Sequence, residues 1–278
     1  MKISVVIPTY NRYSFLKEAI CSILKQSFLP CEIIVVDDGS TDDTIQIKED
    51  FPSIKYIYQK NNGVSSARNI GILASSGEWI ALLDSDDQWH TEKLKIQWNF
   101  HQENPQFLMS YTDEIWIRNN KEVKIPKKFH KIGKNIFQEN LSYCNIAPSS
   151  SFIHKSLFQN IGFFDEDLEV CEDYDLWLRV LLNNKIALID KKLLYKYAGH
   201  EDQLSFKYWG MDRFRVLTLE RILKNSSEEQ KRLIREELIK KYILLKKGAV
   251  KYNKALYIKL YESKLNYFIG YSNENKQI

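Results

Sequence analysis

Hydrophobic positions along the chain fall into short unbroken runs separated by segments of helical periodicity. Ile3-Ser4-Val5-Val6-Ile7 reads as a buried strand, and Phe15, Leu16, Ala19, Ile20, Ile23 and Leu24 then recur at helical spacing. Glu32 to Val36 predicts a second strand, Ile45 and Ile47 a short helix, and Ile54 to Tyr58 a third strand. After the turn signal Asn62-Gly63, Ala67 to Ala74 predicts a helix and Trp79 to Leu83 a fourth strand. Strands alternating with helices in this way predict an α/β fold, a parallel sheet with helices on both faces. Beyond Asp87 the alternation loosens. Helices are expected over Glu92–Glu103 and Glu172–Leu182, and strands over Phe107–Ile117, Ser150–Ile153, Ile186–Ile189 and Leu193–Tyr197. Lys121 to Lys134 reads as basic and irregular, and everything from Met211 onward as helical.

Length and charge divide this pattern. With 278 residues, 44% of them hydrophobic, the chain can bury one large core or a core plus an appendage. The net charge of +4 is unevenly spread. Residues 206–278 hold 17 Lys/Arg against 8 Asp/Glu, whereas residues 1–205 are net acidic. The four cysteines form no CxxC pair, which removes zinc-knuckle and redox-motif readings and fits free thiols in a reducing cytoplasm. The apolar run at the N-terminus is stopped by Pro8, unlike a signal peptide. No stretch approaches the roughly 20 apolar residues of a membrane span. The protein is therefore expected in the cytoplasm, acting from solution or peripherally at the inner face of the membrane.

The chemistry concentrates where strands end. In parallel sheets ligands gather beyond the carboxyl ends of strands, and three polar clusters sit there: Pro8 to Arg12, Asp37 to Ser40 and Asp84 to Asp87. Asp84 and Asp86 are two residues apart on extended backbone and point the same way. Paired hard oxygen donors suit Mg²⁺ or Mn²⁺, whose shell is completed by phosphate and water. An acidic turn after a strand explains the same residues without a ligand. In Asp37-Asp38-Gly39-Ser40-Thr41-Asp42-Asp43, a carboxylate can accept hydrogen bonds from a base or ribose. Ser40 or Thr41 capping a helix with Asp in its first turn is equally sound. Arg68 is the only cation among the small residues Ser65 to Gly71, placed for a phosphate or for a surface ion pair.

Taken together, four stretches resemble the inverting family 2 glycosyltransferases with the GT-A fold. They are Ser4 to Arg12, Val36 to Asp42, Ala67 to Gly71 and Leu83 to Asp87, in order and with matching spacing. The resemblance covers about Met1 to Ser205. It implies a mixed, mostly parallel sheet flanked by helices, with a nucleotide-binding half over about 1–90 and an acceptor-binding half over about 91–205. Residues 206–278 would form a basic helical extension.

The resemblance also assigns roles. Pro8, Thr9, Tyr10, Arg12, Asp38, Arg68, Asp84, Ser85 and Asp86 would hold a nucleotide-sugar, a UDP-sugar by family habit. Asp84, Asp86 and His200 would hold a divalent cation, Mn²⁺ or Mg²⁺. Asp173, second residue of Glu172-Asp173-Tyr174, matches the family's catalytic base, although a helix start favours carboxylates in any case. The implied reaction moves a hexose to a hydroxyl of a saccharide or lipid-linked saccharide, in cell-surface polysaccharide or glycoconjugate synthesis. Two other readings stand beside it. A phosphatase of the haloacid-dehalogenase type also ends a strand in Asp-x-Asp, but leaves Asp38 and the first strand end unexplained. A nucleotide-sugar binder without catalysis would not need its carboxylates intact. A nucleic-acid partner is not expected, because the body is acidic and the tail's charge spreads over helix faces. The tail's helices, Leu238 to Leu260 among them, are expected to pack on the catalytic domain or to lie on an anionic membrane.

Overall fold

The computed structural model describes residues 2–197, 199 and 208–274. Its core is a nine-stranded sheet. The first half supplies β1 (Ile3–Thr9), β2 (Glu32–Asp37), β3 (Lys55–Tyr58) and β4 (Trp79–Leu82), all parallel, in the order β3-β2-β1-β4. Central strands buried on both faces must be apolar throughout. Accordingly Val5, Val6 and Ile7 are all fully buried. Val5 and Ile7 pack with Leu16, Ala19, Ile20 and Ile23 of α1 (Tyr13–Leu24), whereas Val6 faces the other way, towards Ile72 of α3 (Val64–Ala74). Between these helices lies the short α2 (Ile47–Asp50), preceded by a 3₁₀ turn capped by Asp42. Gly71 brings α3 close to the sheet: a Cβ there would lie 2.3 Å from Val6 Cγ1.

The second half turns the sheet mixed. β8 (Ser151–His154) inserts antiparallel between β4 and β6 (Met109–Arg118), and β9 (Ala187–Tyr197) runs parallel to β6. β5 (Gln88–Trp89) adds to β9 antiparallel at the edge, and α4 (Lys93–Glu103) leads from it back to β6. Two expected strands, 186–189 and 193–197, are one. β9 pairs with β6 along both segments, and irregularities around Asp113 absorb the polar Asp190 to Lys192 between them. The basic stretch 121–134 is not wholly irregular either. Asn119 and Asn120, both at positive φ (48° and 57°), form a tight turn that folds β7 (Lys121–Val123) back on β6.

Two short helices, α5 (Ile136–Ser142) and α6 (Ser156–Ile161), and the longer α7 (Glu172–Asn183) complete this half. The chain closes with α8 (Asp212–Leu223), α9 (Glu228–Lys251) and α10 (Ala255–Glu274). Ser227 and Gln230 form a capping box at the start of α9. Trp177 and Leu181 of α7 share one apolar cluster with Leu219, Leu238, Tyr242, Tyr261 and Phe268 of the last three helices. Lys241 Nζ stitches the same contact, reaching Asp212 at 2.9 Å and the Ser142 carbonyl at 2.8 Å. Among the described residues no helix is long and apolar enough to cross a membrane.

Candidate active site

The ends of β1 and β2 are tied to each other before any ligand is considered. Asn11, at φ +51°, donates its N–H to Ser40 Oγ and accepts the Thr41 N–H through Oδ1. Asp37 Oδ1 accepts the Ser40 N–H, and the Tyr56 hydroxyl binds its other oxygen. Asp38 accepts from the N–H groups of Asn62 (2.7 Å) and Gly63 (2.9 Å) and from Gln59 Nε2 (2.6 Å). Its carboxylate thus fastens the end of β2 to the start of α3. Pro8 and Thr9 are buried in β1, and Thr9 Oγ1 has no hydrogen-bond partner among the described residues. Tyr10 is 47% exposed beyond the strand end.

The Asp84/Asp86 pair lies just past β4, and each carboxylate meets an arginine. Arg12 Nη1 is 2.7 Å from Asp86, and Arg68 Nη2 is 2.7 Å from Asp84. Arg68 is not the surface cation that a short reading of its segment allows. It is 4% exposed, and its Nη1 reaches Glu172, the first residue of α7, at 2.6 Å. A guanidinium presents several donors in a rigid fork, so one side chain bridges the first half of the fold to the helix that carries Asp173. Burial pushes the Glu172 carboxyl up and Arg68 draws it back. The next residue, Asn69, makes a second link: it donates to the Phe164 carbonyl and to Glu166, and accepts the Phe164 N–H.

Ser85 is buried, and Asp87 is buried behind the pair. Asp87 accepts from Ser149 Oγ (2.6 Å) and from the Tyr197 N–H (3.2 Å), while Ser149 Oγ accepts the Asp84 N–H. Burial, with Asp86 and Asp84 nearby, pushes the Asp87 carboxyl well up. Lys196 of β9 supplies opposing charge. Burial alone would depress its ammonium, but Glu114, Asp87, Asp84 and Asp173 hold it above the usual lysine range. Asp173 therefore lies within the electrostatic reach of the same lysine as Asp84. The Cys144 thiol is pushed well up by burial and then by the neighbouring Asp173 carboxylate, which keeps it a neutral thiol.

A cleft of 690 Å³ opens between β6, β7 and the 124–131 loop. Trp116, Phe129, Glu114 and Lys131 are among its walls. Trp116 and Phe129 rings lie 5.5 Å apart, and Phe129 meets Tyr143 at 5.7 Å, next to Cys144. Burial would raise Glu114, but Lys131 at 2.7 Å and nearby Lys196 hold it at about 2.

His200 lies outside the described residues. The other expected metal donors, Asp84 and Asp86, are hard oxygens two positions apart. No group of three His, Cys, Asp or Glu side chains able to hold a metal occurs among the described residues. Mg²⁺ is commonly held by one or two carboxylates plus substrate phosphates, so this donor set fits an ion that arrives with a diphosphate. Glu172, Asn69, Lys196 and Ser149 were not legible as site residues. The dipole of α7 already accounts for acidity at its start. Lys196 comes near Asp84 only through the pairing of β9 with β6.

The parallel first half, the antiparallel insertion of β8 and the carboxylate pair past β4 define a GT-A fold. Residues 4–162 match glycosyl transferase family 2. The chain is 39% identical over 198 residues to an uncharacterized glycosyltransferase of Rickettsia conorii, covering 69% of this chain and 32% of the relative. It is 35% identical over 182 residues to the Escherichia coli UDP-Glc:alpha-D-GlcNAc-diphosphoundecaprenol beta-1,3-glucosyltransferase WfaP, covering 64% of this chain and 70% of that one. The crystal structure of S. aureus TarS 1-349 in complex with UDP-GlcNAc superposes with a TM-score of 0.70 at 26% identity, over 86% of this chain and 72% of that one. This chain belongs to glycosyl transferase family 2. It spans about a third of the length of the first curated relatives it matches.

Proposed function

We propose that the chain transfers a hexose from a UDP-sugar to a hydroxyl of a lipid-linked saccharide, inverting the anomeric carbon. The observation that carries this reading is Arg68, which joins Asp84 to Glu172 and so sets the diphosphate end of the site against Asp173. The donor and acceptor classes are supported by the UDP-GlcNAc named for TarS and by the diphosphoundecaprenol acceptor named for WfaP.

Pro8, Thr9, Tyr10 and Asp38 would hold base and ribose, with Ser85 and Arg12 serving the diphosphate. A Mn²⁺ or Mg²⁺ held by Asp84 and Asp86, with His200 as a further contact, would supply positive charge against the leaving diphosphate. Arg12 and Arg68 offer the chain's own cations at the same place. Asp173 accepts the proton of the acceptor hydroxyl as its oxygen bonds to the anomeric carbon. The bond from that carbon to the diphosphate oxygen breaks, and its electron pair leaves with UDP. Trp116 and Phe129 line the 690 Å³ cleft, Phe129 meets Tyr143, and the next residue, Cys144, feels the Asp173 carboxylate; this aromatic wall is the proposed seat of the acceptor sugar, whose C–H face can lie on a ring.

The test is UDP release from a panel of UDP-sugars, with GlcNAc diphosphate on a short polyprenyl carrier as acceptor. Asp173→Asn is expected to lower turnover by about 10²- to 10⁴-fold with UDP affinity unchanged. Full turnover in that variant sinks the base assignment. Equal rates with and without chelator sink the metal role, and UDP binding with no transfer to any acceptor marks a binding protein instead.

A further inference from the structure

The tip of the α9–α10 hairpin carries charge and apolar surface that neither the fold nor the proposed transfer uses. From Leu238 to Tyr261 the chain has seven lysines and no acidic residue. The inner face of this segment is committed to packing: Tyr242, Leu245, Ala249 and Tyr261 are buried. The outer face is not. Val250 is 52%, Tyr252 65%, Leu256 84% and Leu260 48% exposed.

The lysines divide in the same way. Those near the body have acidic partners: Lys240 and Lys241 with Glu237, and Lys246 with Glu262. Lys247, Lys251, Lys254 and Lys259, around the tip, form no ion pair among the described residues. A second aromatic group extends the patch. Trp209 is 47% exposed, with Arg213 3.8 Å and Lys254 4.4 Å from its ring and Tyr257 edge-on at 5.9 Å.

Exposed aliphatic side chains ringed by lysine, with Trp and Tyr at the margin, match the layered chemistry of a bilayer surface. Aliphatic groups enter the acyl boundary, Trp and Tyr rest among headgroups, and lysine stems lie along apolar surface with their ammonium groups on phosphates. A second copy of the tip would bring like charges together, and a nucleic acid would leave Leu256 and Val250 against nothing apolar. We propose that this tip is a docking surface for an anionic lipid bilayer. The surface goes beyond the transfer reaction and does not depend on which acceptor is used. Docking there also fixes the catalytic half in orientation. α8 is packed on the helix that bears Asp173, with Thr218 Oγ1 on Asp175 at 3.1 Å, and α10 packs in turn on α9.

The test is sedimentation of the full chain with vesicles of phosphatidylcholine alone or with one-third phosphatidylglycerol, at low and high salt. The chain is expected to sediment with the anionic vesicles, less so as salt rises. Each of Lys251→Gln, Lys254→Gln and Lys259→Gln is expected to weaken binding about fivefold. Leu256→Ser with Tyr252→Ser is expected to lower binding while keeping its salt dependence. UDP affinity in the same variants is expected to match the wild type, which shows that they fold. Wild-type chain left in the supernatant with anionic vesicles overturns the proposal. So does a triple lysine variant that sediments as the wild type does. A dimer seen by light scattering and lost in Leu256→Ser also overturns it, because a second copy would then cover the patch.

Discussion

Arg68 holds carboxylates from both halves of the fold, and its own Nε lacks a partner among the described residues. Removing one member of a buried charge group leaves the others uncompensated. Arg68→Met is expected to lower stability by about 3–5 kcal/mol in urea unfolding. Arg68→Lys keeps the charge but not the fork, and is expected to retain much of that stability while weakening UDP binding. A lysine variant equal to the wild type in both would show that the bidentate reach is dispensable. His101 is a buried imidazole on α4. It is 2% exposed, between the Phe107 carbonyl and Ser110 Oγ. Burial lowers its pKa to about 4. The unfolded chain therefore takes up a proton that the folded chain refuses between about pH 6.5 and 4, so this contribution is complete above 6.5 and lost as pH falls towards 4. The loss is on the order of 3 kcal/mol, and His101→Gln should flatten the pH dependence of the urea midpoint across that window. Which residue types carry chemistry was readable from their place at strand ends. Which of them pair was not, because Arg68 and Glu172 are 104 positions apart and meet only in three dimensions.

At the scale of elements, α3 shows how closely packing and site are coupled. Its glycine lets the helix settle on β1, and the same turn of helix carries Arg68 and Asn69. The Val6 side chain facing Gly71 is β-branched and stiff. Gly71→Ala is therefore expected to cost roughly 1–3 kcal/mol by overpacking and to weaken UDP binding by tilting Arg68 away from Asp84. Thermal melts and UDP titration on one preparation check both, and an unchanged melt would mean that the helix shifts freely. The first four strands were legible because a parallel sheet buried on both faces writes itself as unbroken apolar runs. β5 and β7 were not, being two and three residues long with no run to read. β9 was read as two strands because Asp190-Lys191-Lys192 interrupts its apolar pattern, whereas its pairing with β6 resumes at Lys192 after a register shift that skips Asp190 and Lys191.

Across the whole molecule, the helical tail was legible in composition but its attachment was not. The same apolar cluster holds α7, α8, α9 and α10, so the basic extension buttresses the helix that presents Asp173. The charge split along the sequence becomes a split in space, with Lys241 buried among acidic partners and, at the hairpin tip, lysines that form no ion pair among the described residues. The two adjacent side chains of α3 that cross to the second half have a kinetic corollary. Arg68 and Asn69 hold the helix of the proposed base and the loop before it through contacts made at the edge of the donor site. A diphosphate that engages Arg68 thereby changes the restraint on the acceptor side, whereas an acceptor arriving first finds that restraint unaltered. The expected signature is compulsory order: UDP-sugar adds first and UDP departs last. In product-inhibition plots, UDP would then compete with the sugar donor and not with the acceptor, and random-order patterns would show that the two halves load independently.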